Sequence, residues 1–159
     1  MIELRVVETA ESFRRGDGTE VWAAGYTPVD LLTGSYLAMG DHRVPDPRCR
    51  LLRVAGTTHA GEVLQDPRFS PGRAVELRPD PANPHDADAV GVWDAGGEAQ
   101  VGWVPAADAP EVAGMIRGGQ ALSGIVLREF RSAPDGPRIA LNMVIGPAAE
   151  LALEVVPEW

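Results

Sequence analysis

The chain has 159 residues, with 23 acidic side chains against 14 basic ones, a net charge of −9 and a pI near 4.7. That length suits one domain with its own core, or one domain with an added arm, and the acidic balance excludes a general attraction to phosphate. All the basic residues are arginine, which excludes a Walker-type phosphate loop, a Schiff-base lysine and a serine–lysine pair, since each needs a primary amine. Glycine and proline number 18 and 14, a composition that favours short strands over long helices.

In chain order, Ile2, Leu4 and Val6 alternate with Glu3, Arg5 and Val7, a strand pattern over 2–8. Arg14–Gly18 reads as a turn and Glu20–Ala24 as the second strand of a hairpin. Tyr26-Thr27-Pro28 predicts a helical piece, with Thr27 as cap, Pro28 at the first helical position, and Leu31, Leu32 and Tyr36 along one side. The polar, proline-broken stretch at 41–50 reads as a linker that closes an N-terminal arm, residues 1–50, packing on the core. Leu51–Thr58 is a strand broken at Gly56, where a bulge or a close backbone approach is expected. Arg73–Leu77 and Ala89–Trp93 are the next strands, and a turn at Asp94-Ala95-Gly96-Gly97 leads to Gln100–Val104. Ala106–Arg117 is the predicted helix, opened by Pro105 and ended by Gly118-Gly119. Leu122–Phe130 and Ile139–Ile145 form an antiparallel pair, and Leu151–Val156 is an extra strand in a tail at 148–159. The expected fold is mainly β, a small OB-like or modified β-barrel of about six strands with one or two helices, plus an N-terminal β/α arm.

The chemistry concentrates in RPDPANPHDADAVGV at 78–92, a proline-stiffened polar loop running straight into a strand and carrying His85, Asp86 and Asp88. Asp86 also reads as a turn-closing residue that accepts backbone amides. Trp103 reads either as lining for a groove or, favoured by its place in a strand, as core cover. Asp80, Asp86 and Asp88 lack the glycine and terminal glutamate of a calcium loop, and His42, Cys49, His59 and His85 lack zinc spacing. Cys49 is the single cysteine, so no internal disulfide forms. Ser70 and Ser123 have no nucleophile context and no acid–base carboxylate pair stands out. No metal, no cofactor and no enzymatic activity are expected. The opening MIELRVVET lacks the pattern of a secretory signal and no apolar run approaches a membrane span. A cytoplasmic protein is expected.

VAGTTH at 54–59, LRPDPANPHDADAVGV at 77–92, VGWVP at 101–105 and the following helix together resemble the HIRAN domain over about residues 51 to 146. The resemblance implies a barrel domain at 51–147, of the kind that occurs in fork-remodelling helicases and, in bacteria, alone or beside nuclease-like domains. It implies binding of the free 3′ end of single-stranded DNA by a tyrosine–aspartate pair, whose positions here hold His85 and Asp86. The family's arginine and aromatics after the first strand fall at Thr57, Thr58 and His59, and a lysine falls near Ala106. Two cations are thereby missing, which implies weaker binding with a shallower salt dependence. Phosphate contact falls to Arg53, Arg78, Arg128, Arg131 or Arg138, with Trp103 or Phe130 near the stacked base. The implied role is a non-catalytic single-stranded DNA-binding module in DNA repair, replication or a mobile element. Its rival is an acidic protein–protein interaction module that has lost DNA binding, suggested by the charge and by Trp22, Tyr26 and Tyr36 in the unmatched arm.

Overall fold

The computed structural model describes residues 1–157; Glu158 and Trp159, the end of the expected C-terminal tail, lie outside the described residues. Nine strands and one α-helix form among them: β1 (Ile2–Arg14), β2 (Glu20–Pro28), β3 (Arg50–Arg53), β4 (Ala74–Pro79), β5 (Val90–Asp94), β6 (Gln100–Trp103), α1 (Ala109–Arg117), β7 (Leu122–Arg131), β8 (Arg138–Pro147) and β9 (Leu151–Val155).

Alternation of aliphatic and polar residues sets one face of each central strand inward. Val75, Val90, Val92, Val101, Leu141, Met143 and Ile145 are all buried in one cluster with Phe69. Each such side chain contributes roughly 1.5–3 kcal/mol by leaving water. The strands run β6-β5-β4-β7, with β8 on the other edge of β7 and β3 on β8. The remaining edges, β3 and β6, meet at a single bridge, where Ala55 and Trp103 exchange amide-to-carbonyl bonds of 2.8 and 2.9 Å. Six strands thus curl into an OB-like ring whose seam is one bridge wide and is not closed by a continuous ladder. Register shifts at Val92/Trp93 and at Val126/Arg128 supply the local twist that this curvature needs.

One end of the ring is covered by α1 through Ala109, Val112 and Ala113. The expected start at Ala106 is instead a turn in which the Pro105 carbonyl accepts the amides of Asp108 and Ala109, both at 2.9 Å. The helix proper opens with Ala109-Pro110, and the missing N–H of Pro110 costs nothing in a first turn.

Two further expectations are corrected. No helix follows Tyr26: β2 runs through Pro28, and Asp30 then accepts the Leu32 amide at 3.0 Å and the Thr33 hydroxyl at 3.1 Å, offering the backbone a turn in place of a helix. Thr27, the proposed cap, is buried with its hydroxyl 2.7 Å from that of Thr9, while Leu31, Leu32 and Tyr36 are exposed. The strand expected to reach Thr58 stops at Arg53, because Gly56 takes a positive φ of 74° and Thr57–His59 form a 3-10 turn.

The N-terminal hairpin extends the same sheet. β2 pairs with β7, β1 with β2, and β9 runs parallel to β1. A second cluster of Leu4, Val6, Leu37, Leu51, Leu127 and Val144 ties this extension to the ring. Among the described residues no helix is long and apolar enough to cross a membrane.

Candidate nucleic-acid interface

The loop between β4 and β5 is held by its own polar residues. Asp80 donates its amide to the Ala89 carbonyl at 2.8 Å, closing the base. The Asn83 side-chain oxygen accepts the amides of His85 and Asp86 at 2.9 and 3.1 Å, and Asp86 Oδ1 accepts the Asp88 amide at 2.8 Å. Asp88 Oδ1 lies 3.0 Å from Arg117 Nη2, which fastens the loop to the last turn of α1. His85 is exposed and Asp86 half-buried. Asp86 therefore does close a turn, yet with one oxygen only; Oδ2 accepts no hydrogen bond among the described residues.

Beside the loop, strand register builds an outward face. Arg78, Gly91 and Trp103 stand in one row, and Glu76, Trp93 and Gln100 in the next. The Arg78 guanidinium sits 4.9 Å above the Trp93 ring, with Nε 3.1 Å from Glu76 Oε1. The Trp93 indole lies across Gly91, where a Cβ would come within 2.8 Å of its Nε1 and 2.9 Å of Gln100 Nε2. Trp103, favoured as core cover from the sequence, is instead half-buried on this outer face. Its Cδ1 lies 3.2 Å from where a Cβ on Gly56 would stand, so the close approach expected at Gly56 is that of an indole. A hollow of about 210 Å³ gathers Gly56, His59, Gln100 and Trp103.

Not every expected contact lies on this surface. Thr57 is buried, its hydroxyl bonded to the Ile139 carbonyl at 3.3 Å, whereas Thr58, His59 and Ala106 are exposed. Arg138 is buried and committed to Glu129 at 2.5 Å, the carbonyls of Leu64 and Asp66 at 3.2 and 2.8 Å, and Ser70 Oγ at 2.7 Å. That arginine holds the 3-10 turns at Gly61–Gln65 and Pro67–Phe69 to β8 and is withdrawn from the phosphate candidates. Arg131 bonds Glu129 and the Gly136 carbonyl; Arg128 lies 2.9 Å from Glu11 and 5.2 Å from the Phe130 ring. Phe130 packs edge-on to Phe13 of the hairpin, with centroids 6.5 Å apart, and its aromatic neighbour is therefore not at the loop. Arg53 is exposed and forms no ion pair among the described residues. Arg117, Trp93 and Gln100 were not singled out from sequence. Alternation from Arg78 could have found the two strand residues, but nothing local signals that a helix-terminal arginine meets Asp88.

The HIRAN domain family model matches residues 51–144. The chain belongs to the HIRAN domain family. The HIRAN match runs from β3 into β8 and so spans the ring and α1, leaving β1, β2 and β9 outside it. Two solved structures are similar to this HIRAN chain. A crystal structure of a protein from Lactobacillus plantarum, a structural genomics target, is 22% identical with a TM-score of 0.47, covering 60% of this chain and 91% of that one. The crystal structure of the HIRAN domain of human HLTF is 23% identical with a TM-score of 0.45, covering 64% and 78%. No curated protein matches the chain.

Proposed function

We propose that the HIRAN barrel at 51–147 binds single-stranded DNA at its 3′ end, without catalysis of its own, using the 80–89 loop and the outer face of β4–β6. The observation that carries this reading is the free Oδ2 of Asp86 next to an exposed His85, on a loop already closed by Asn83 and pinned by Arg117. The terminal base stacks on His85, with Trp103 in the adjoining rows, and Asp86 accepts a hydrogen bond from the 3′ hydroxyl. Stacking contributes about 1–3 kcal/mol per base on an aromatic side chain, less on the small imidazole. Arg78 and Arg117 meet the phosphates by exchanging Glu76 and Asp88 for the DNA backbone, so few counterions are released and the salt dependence is shallow. Residues 1–50 act as an arm on the core and 148–159 as a C-terminal tail or extra strand, and the setting is cytoplasmic DNA repair, replication or a mobile element.

One observation favours the second reading, an acidic protein-interaction module: both arginines nearest the loop already have carboxylate partners. Binding of labelled oligonucleotides at low salt separates the two. Wild type should prefer a 3′-hydroxyl end to a 3′-phosphate end, and Asp86→Ala should abolish the preference. No binding at tens of micromolar, or equal binding of both ends, overturns end recognition.

A further inference from the structure

Among the described residues, the sheet that carries the barrel has one long open edge. β9 covers β1 only from Ile2 to Val6, whereas β1 continues to Arg14 with β2 on its other side. The hydrogen bonds show which groups face outward. Arg5 accepts the Val29 amide on the β2 side at 3.0 Å. On the β9 side, Val6 accepts the Val156 amide at 2.8 Å and Ile2 donates to the Glu150 carbonyl at 2.7 Å. Main-chain groups alternate between the two edges along a strand, so beyond Val6 those of Glu8, Ala10, Ser12 and Arg14 aim at the open edge.

Exposed edges are usually blunted by proline, a bulge, an inward charge or charged side chains along the edge, and here the charges are of both signs, Glu8 and Glu11 against Arg14. From Glu8 to Arg14 the edge has no proline, its register against β2 is unbroken, and its middle positions are the small Ala10 and Ser12. The side chains of Ala10 and Ser12 border a hollow of about 370 Å³ on the sheet face, shared with Trp22, Ala24 and Arg131.

We propose that two copies of this chain pair antiparallel through this edge, about a two-fold axis at Glu11, with Glu8 opposite the partner's Arg14 and Ala10 opposite the partner's Ser12. The register is selected by charge. Positions with outward main-chain groups must oppose one another, and a slip of two residues either way leaves Glu8 or Arg14 facing a small neutral residue. Within one chain neither Glu8 nor Arg14 forms an ion pair among the described residues. The two Glu11 carboxylates meet at the axis, but each lies 2.9 Å from its own Arg128, giving a row of alternating charge at either end and a compensated centre. A single strand pair buries less than a standard interface, so the dimer is weak and concentration-dependent. This pairing is independent of DNA binding.

Sedimentation of the full chain from about 10 to about 500 μM at low salt tests it, a range that brackets weak association. Wild type should shift from monomer to dimer across that range. Ser12→Pro, which removes an outward N–H that β2 does not use, should stay monomeric with an unchanged circular dichroism spectrum. E8R and R14E, each alone, should weaken association by about tenfold or more, and the double charge swap should restore it. The proposal is overturned by a monomer at every concentration, or by a double swap no better than the single variants.

Discussion

Asp88 and Arg117 are joined at 3.0 Å across the space between the β4–β5 loop and the last turn of α1. The contact is exposed, so its stability contribution lies within about 0–1 kcal/mol. Its consequence is positional: the loop that carries His85 and Asp86 is referred to the helix as well as to its own strands.

Asn83 does more of the holding. Asn83→Ala removes the acceptor for two loop amides and should cost about 1–2 kcal/mol, read as a lower urea midpoint with an unchanged slope. Arg117→Ala should move that midpoint far less. If the two variants behave alike, the loop is not organised by its Asx turn.

Gly56 faces a double demand, a φ of 74° and an indole 3.2 Å from any added Cβ. Gly56→Ala should lose about 1–2 kcal/mol and shift the tryptophan emission as Trp103 is displaced. Wild-type stability and emission in this variant would show that the indole does not rest there.

Asp94 anchors the β5–β6 turn. It accepts the amides of Ala99, Glu98 and Gly96 at 2.7, 2.8 and 3.2 Å and lies 3.4 Å from Arg68. The amide of Ala99 first, then that of Glu98, with help from Arg68, hold its carboxyl below the usual carboxylate value. A folded pKa below the unfolded one stabilises fully above the unfolded value of roughly 3.9, and that stability drains away as pH falls through the folded value. Wild type should therefore lose stability below about pH 4. Asp94→Asn should be about 1–3 kcal/mol less stable at neutral pH, with a flatter acid limb in urea titrations at successive pH values.

Arg138 and Arg78 should separate cleanly. Arg138→Ala removes one of the two arginines on Glu129, together with the donor for the Leu64 and Asp66 carbonyls and Ser70 Oγ, and should cost about 3 kcal/mol of stability, with little change in oligonucleotide binding by the protein that remains folded. Arg78→Ala should leave stability nearly unchanged and reduce the salt slope of binding by about one. A steep loss of binding in the Arg138 variant, measured where it is folded, would return that residue to the interface.

The alternation in β4–β8 and the punctuation of the β4–β5 loop are short-range signals that place those strands within a few residues, whereas β1, expected over 2–8, runs on to Arg14. The same is true of the Asn83 and Asp86 turns, whose donors lie two or three positions away. Short-range signals also misled. Tyr26-Thr27-Pro28 has the residues of a helix start, but pairing with β1 and the Asp30 turn outcompete it.

By itself, then, the chain's order of residues determines the β pattern, the proline-stiffened loop at 78–92 and the absence of lysine. Those depend on residue identity and on neighbours within a turn. The tertiary structure alone decides which arginines remain available and which aromatics face outward. The carbonyls and hydroxyl that claim Arg138 lie 68 to 74 positions away, and Trp103 faces out because its cross-strand partner is Gly91. It also decides that, among the described residues, eight residues of β1 stay unpaired on one edge, since β9 stops at Val155. Distant segments must be brought together before charge can be neutralised, an indole turned outward or an edge left open.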